Sequence, residues 1–113
     1  AFKENCPDTR NSKVLDIIKR LNEYEIQPII VDPRADKKMI KDTYGIDLIY
    51  LDRVEEADCV VLAVSHDEFK SLSISEIDKM FKKIPNDEKV IIDVKSILNK
   101  RDVEKLHYKY WRL

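Results

Sequence analysis

Three cations, Lys3, Arg10 and Lys95, stand where the hydropathy pattern ends a strand or begins a helix. Side chains of this kind hold phosphate oxygens, arginine through a planar fork and lysine as a point charge. Arg10 falls in the polar stretch Glu4-Asn5-Cys6-Pro7-Asp8-Thr9-Arg10-Asn11, just ahead of a helix whose N-terminus itself attracts anions. A single lysine or arginine in a chain that is 38% charged is ordinarily a solvated surface charge. What raises these three is a shared position beyond strand ends, where open parallel sheets bind ligands. Lys13, Lys19 and Arg20 lack that position and read as the solvent face of a helix.

The other candidates are weaker. Asp32 follows a strand-like segment and could meet a ribose hydroxyl, or else cap the turn before Pro33. His66 precedes Asp67-Glu68-Phe69; an acid/base role is open to it, but a histidine at a helix start with acidic neighbours is more often structural. Cys59 reads as core packing, and Cys6 has no base beside it to make a nucleophile. No paired carboxylates, Ser/His/Asp set or Cys/His set emerges, so no catalytic residue is assigned. Two cysteines far apart, no CxxC and two histidines argue against a disulfide scaffold or a structural metal. Gly45 is the only glycine, where average usage gives about eight. Phosphate loops that need close backbone approach, GxGxxG or GxxxxGK[ST], are thereby excluded.

The elements that would position these residues alternate between helix-like and strand-like. Val14, Leu15, Ile17, Ile18, Leu21 and Tyr24 have helical spacing, with Asn11 or Ser12 as cap. Ile26–Val31 reads as a strand with Pro28 near its start or on an edge. Asp36–Tyr44 is a shorter helix stopped by Gly45, and Leu48–Leu51 a short strand. The apolar run Cys59–Val64 suggests a strand covered on both faces. Ile74, Ile77, Phe81 and Ile84 make a helical stripe ended by Pro85; Val90–Val94 is another strand and Asn99–Leu106 a short helix. The aromatic end, from Tyr108 to Leu113, is expected to pack on the sheet edge. Together these predict an α/β fold, a Rossmann-like three-layer sandwich with a mostly parallel sheet of about five strands, the first ending at Lys3.

The length of 113 residues suits one domain, and 43% hydrophobic residues are enough for a core. The net charge is −1 with no basic excess at either end, which argues against a nucleic-acid binder. No run is long enough for a membrane helix, and no secretory signal leads the chain. The opening Ala1-Phe2-Lys3 without Met suggests a piece cut in mid-element.

Phe2-Lys3-Glu4-Asn5-Cys6-Pro7-Asp8-Thr9-Arg10-Asn11-Ser12, then an amphipathic helix and Val31-Asp32-Pro33, resembles the C-terminal domain of the UDP-glucose/GDP-mannose dehydrogenase family. Ala63-Val64-Ser65-His66-Asp67-Glu68-Phe69 and Asp93-Val94-Lys95 are similar to its later strand ends. The resemblance implies a UDP-sugar-binding domain over residues 1–113, from an enzyme that oxidises the C6 hydroxyl of a nucleotide sugar to a carboxylate. NAD would be bound by an N-terminal domain, which with the central domain and the nucleophilic cysteine is absent from this chain. It further implies that Phe2 and Lys3 contact the nucleotide sugar. Lys95 stands where the family has a strand-end Arg on the nucleotide; lysine keeps the charge without the fork. Arg10 matches the Arg of the Asp-x-Arg loop and is structural or phosphate-facing.

Glu4-Asn5-Cys6-Pro7-Asp8 is more similar to the branch acting on UDP-N-acetyl-D-glucosamine or -galactosamine than to the UDP-glucose branch. The expected setting is surface polysaccharide synthesis in the cytoplasm, by a parent enzyme that is a homo-oligomer, with a UDP-sugar as partner and neither nucleic acid nor membrane. The rivals are a UDP-glucose or UDP-N-acetylmannosamine 6-dehydrogenase domain and a non-catalytic Rossmann-like interaction module. A receiver-type module would need an adjacent acidic pair at a strand end, which Asp32 and Asp93 do not make.

Overall fold

The computed structural model describes residues 13–112. The chain divides into two units, one reaching to Arg53 and one running from Val54 onward.

In the first unit, Lys13–Glu23 forms helix α1 and Lys37–Tyr44 forms helix α2. Helix α1 buries Ile18 and half-buries Val14, Leu15 and Leu21, whereas Ile17 and Tyr24, expected on the inner face, are exposed. Tyr24 instead lies under the Arg20 guanidinium, 5.3 Å from the ring centroid. The chain leaves α1 through Glu25 at φ +61°, with the Ile26 amide donating to Leu21 O at 2.9 Å. A helix stop of this form normally uses glycine. The N-cap of α2 is Asp36, which accepts from the Met39 amide at 3.1 Å. Gly45 at φ +69° ends the helix and donates to Lys41 O, as its position in the sequence predicts. Ile40 and Leu48 form the core, with Leu15, Ile30 and Tyr44 against it.

The two strands expected at Ile26–Val31 and Leu48–Leu51 are reduced to one parallel bridge between Ile30 and Leu48. Pro28 has no N–H to extend pairing backward, and Asp32 turns the chain immediately afterward. Its Oδ1 accepts from the Arg34 and Ala35 amides at 2.9 and 3.2 Å, which is the turn-capping alternative. Leu51–Arg53 is a 3-10 turn.

The second unit holds a three-stranded parallel sheet in the order β1-β2-β3: Cys59–Leu62 (β1), Val90–Asp93 (β2) and Lys109–Arg112 (β3). Val60 pairs with Ile91 and Ile91 with Tyr110. Asp67–Lys70 (α3) and Ile74–Asp78 (α4) connect β1 to β2, and Lys100–Lys105 (α5) connects β2 to β3. Ile77 of α4 and Val103 of α5, both fully buried, join Leu62, Ile91, Phe81, Leu98 and Tyr108 in one core. Parallel pairs place matched residues on the same face. Val60, Leu62 and Ile91 therefore meet the helices, while Cys59, Val61 and Trp111 point the other way and are exposed.

Cys59 is thus not core packing, and β1 is not covered on both faces, because alternation sends half of its apolar run outward. Partial desolvation and the Asp58 carboxylate push the Cys59 thiol up, away from the reactive thiolate. The helix expected to run on past Phe81 ends at Asp78, with Lys79 as its C-cap. There the backbone turns to bridge Phe81 with Ala57, and Lys82 N donates to Ala57 O at 3.0 Å. Its start is a capping box between Ser73 and Glu76. The aromatic tail packs on the sheet edge as expected, in the form of strand β3.

A polar cluster lies under the core. Lys89, with a side chain only 8% exposed, pairs with Asp78 at 2.7 Å and donates to Asn86 Oδ1 at 3.0 Å. The Tyr108 hydroxyl donates to the same Asp78 oxygen. Asn86 Nδ2 donates to Leu106 O at 2.9 Å, and the Phe81 ring lies 5.9 Å from the ammonium. The lysine and tyrosine hydrogen bonds hold the Asp78 carboxyl below its usual range, and burial beside that carboxylate pushes Tyr108 up.

Candidate functional site

Three parallel strands in register put their carboxyl ends side by side, the edge at which open α/β sheets take ligands. After β1 come Ser65 and His66, both buried. His66 is fully enclosed, its carbonyl accepts from the Phe69 amide at 2.9 Å, and its ring lies 5.3 Å from that of Phe69. The ring is thus held within the fold at the start of α3.

After β2 the chain turns through Val94, Lys95 and Ser96, and Lys95 is exposed on that turn. Val94 N donates to Leu62 O across the strand ends at 3.0 Å, and Ser96 N donates to Asp93 O at 3.3 Å. Ser96 is at φ +55°, which sets Lys95 at the outer corner of the loop. The last residue of β3 is Arg112, paired with Asp93 in the register and also exposed. The edge therefore presents a lysine and an arginine from neighbouring strands.

Asp93 is fully buried beneath this turn. It accepts from the Ile97 amide at 3.0 Å, the Leu98 amide at 2.9 Å and the Tyr110 hydroxyl at 2.7 Å. Burial and the hydrogen bond to Asp93 push Tyr110 up to about 12, with Arg112 acting in the opposite direction. The continuation of the loop, Ile97 to Asn99, lines an open groove of about 470 Å³ whose other wall includes Leu72 and Ser73.

Of the residues predicted from the sequence to bind ligand, Lys95 lies exposed just beyond the carboxyl end of β2. Phe2, Lys3 and Arg10 lie outside the described residues, as does the strand expected to end at Lys3. Arg112 and the Asp93–Tyr110 pair escaped the sequence reading. Their only signal is an acid closing the apolar run Val90–Ile92 and an aromatic three places from the end of the tail. Among the described residues no group of three His, Cys, Asp or Glu side chains could hold a metal. No helix among them is long and apolar enough to cross a membrane.

A parallel α/β unit with cations at its strand ends has the features of a ligand-binding domain of the Rossmann type. Residues 1–100 match the UDP binding domain of the UDP-glucose/GDP-mannose dehydrogenase family, and the chain belongs to that family. It is 40% identical over 98 residues to a UDP-N-acetyl-D-glucosamine 6-dehydrogenase of Pseudomonas aeruginosa, covering 87% of this chain and 22% of the relative. It is 36% identical over 112 residues to protein CapL of Staphylococcus aureus, covering 99% and 25%. A solved structure of the UDP-N-acetyl-mannosamine dehydrogenase Cap5O from S. aureus superposes with a TM-score of 0.65 at 25% identity, over 99% of this chain and 23% of that one. The chain thus spans about a quarter of the length of the relatives it matches.

Proposed function

We propose that this chain is the nucleotide-sugar (UDP) binding domain of an NAD-dependent UDP-N-acetylhexosamine 6-dehydrogenase, an enzyme that oxidises the sugar C6 hydroxyl to a carboxylate for surface polysaccharide synthesis. The observation that carries the reading is the match of residues 1–100 to the family's UDP binding domain. The name of the P. aeruginosa relative supports an N-acetylglucosamine substrate. The name of Cap5O favours a second reading, N-acetylmannosamine.

Lys95 supplies positive charge to the nucleotide's phosphates from the loop after β2, and Phe2 and Lys3 complete the contact, with Arg10 on the phosphate side or in support. A lysine there attracts the pyrophosphate without the two-pronged geometry of an arginine, so affinity falls with rising salt. NAD does not fit this chain: its one glycine, Gly45, is committed to ending α2, and no glycine-rich turn remains to admit a dinucleotide. NAD and the chemical step belong to a domain outside these residues, and the 113-residue chain turns nothing over. The parent enzyme is a cytoplasmic homo-oligomer.

Titration calorimetry with UDP, UDP-N-acetylglucosamine, UDP-N-acetylmannosamine, GDP and NAD tests the proposal. Saturable binding of UDP and at least one UDP-sugar, with none of NAD, is the expected result, and the stronger sugar chooses between the two readings. A folded chain that binds NAD, or ignores UDP, overturns it.

A further inference from the structure

The loop that carries Lys95 is tied down on both sides of its corner by one side chain. Asp93, at the last position of β2, receives the Ile97 amide on Oδ1 and the Leu98 amide on Oδ2, so the returning arm is fixed to the residue from which the outgoing arm departs. Ser96 holds a left-handed conformation that L side chains keep only where surrounding contacts impose it. The carboxylate is in turn held from β3, where the Tyr110 hydroxyl donates to the same Oδ2 as Leu98. Tyr110 pairs with Ile91 in the register and shares its face, which points the ring along the sheet toward Asp93. With its hydroxyl pushed up to about 12, it remains a donor throughout the neutral range. Tyr110 lies beyond residues 1–100, the part that matches the family.

We propose that Asp93 and Tyr110 are positioning residues for Lys95: the carboxylate fixes the loop, the β3 hydroxyl fixes the carboxylate, and nucleotide affinity is thereby set from a strand whose side chain does not touch the nucleotide. The inference rests on the reading of Lys95 as a nucleotide contact. Losing one of three bonds to Asp93 loosens the loop without removing a cation. The effect on affinity must then pass through Lys95 and vanish when Lys95 is gone.

The experiment is a double-mutant cycle on the 113-residue chain, with UDP as the probe at neutral pH. Lys95→Ala weakens UDP about tenfold or more, and Tyr110→Phe about threefold to tenfold, the range for a hydrogen bond to a charged group acting indirectly. In the double variant, Tyr110→Phe adds nothing to Lys95→Ala. A purely structural tyrosine lowers the melting temperature but leaves UDP affinity alone, or weakens it equally in both backgrounds; either result overturns the inference. Amide exchange at Ile97 and Leu98 reads the loop directly and accelerates in Tyr110→Phe. Unchanged protection there also overturns it. Asp93→Asn, which keeps the side-chain shape and one acceptor oxygen, serves as the second variant and shows the same dependence on Lys95. Unchanged affinity in Lys95→Ala, by contrast, overturns the underlying assignment of Lys95 itself.

Discussion

Lys89 and Asp78 form an ion pair whose two ends differ in solvent access: the lysine side chain is 8% exposed and the aspartate 39%. Replacing one partner is therefore not equivalent to replacing the other. Asp78→Ala strips a buried ammonium of its counter-charge and the Tyr108 hydroxyl of its acceptor, leaving Asn86 Oδ1 as the remaining bond to Lys89 shown by the geometry. A charge-assisted bond contributes about 1.5–3 kcal/mol and an orphaned neutral donor about 1 kcal/mol. Partial access of water to the vacated position reduces the sum, so the expected cost is about 2–3 kcal/mol. Lys89→Met removes the charge, whose ammonium lies 5.9 and 6.0 Å from the Phe81 and Tyr108 ring centroids, but keeps an apolar stem of similar length, and water solvates the released aspartate. Its expected cost is under about 1 kcal/mol, the range for a pair whose remaining partner reaches water, since Asp78 is 39% exposed and keeps its bond from Tyr108. Urea unfolding at pH 7, with the slope checked for constancy, measures both. A Lys89→Met variant as destabilised as Asp78→Ala would refute the account, because it would mean that the pair itself, and not the stranded lysine, dominates.

Helix stops give a matched pair of opposite sign. Gly45→Ala, with open space around the added Cβ but φ at +69°, costs about 1–2 kcal/mol through backbone strain alone, whereas Glu25→Gly stabilises by up to about 1 kcal/mol; thermal melts report both. Tyr108 and Tyr110 are raised in the folded state, so their contribution is complete below about pH 10, the unfolded tyrosine value. It is lost as pH climbs through the folded values, about 12 for Tyr110, and Tyr110→Phe flattens the alkaline fall in urea midpoint. Asp78 is lowered, so its contribution holds above about pH 4 and disappears as acid protonates it; Asp78→Asn removes that part of the acid slope. Lys95→Ala weakens UDP binding about tenfold at low salt and flattens its salt dependence, measured by calorimetry at two ionic strengths.

Local signals carried furthest where one residue decides an element. Asp36 and Gly45 bracket α2 in sequence and in structure, and the apolar runs at Val60–Leu62 and Val90–Ile92 became β1 and β2. Phe81 misled because its spacing from Ile77 is helical, yet the backbone had already left α4 to meet Ala57, a partner no local window contains. Strand β3 reads as polar-aromatic-aromatic-polar, and only pairing with β2 gives it a strand's conformation. The candidate site divides in the same way. The place of Lys95 beyond the end of β2 was legible from the apolar run before it, while the bond beneath it depends on Asp93 meeting Tyr110 across two strands.

Among the described residues, strand β3 has β2 on one side and no second neighbour in its sheet. Its outer backbone groups form an edge, with Trp111 57% exposed beside them. An open edge bearing Tyr110 and Trp111 would invite another chain to add a strand, the first step toward aggregation. Lys109 and Arg112 stand at either end of that aromatic pair, both exposed, and a second molecule docking in parallel would have to bring its own lysine and arginine against them. The charges that bound β3 therefore act as gatekeepers against pairing at this edge.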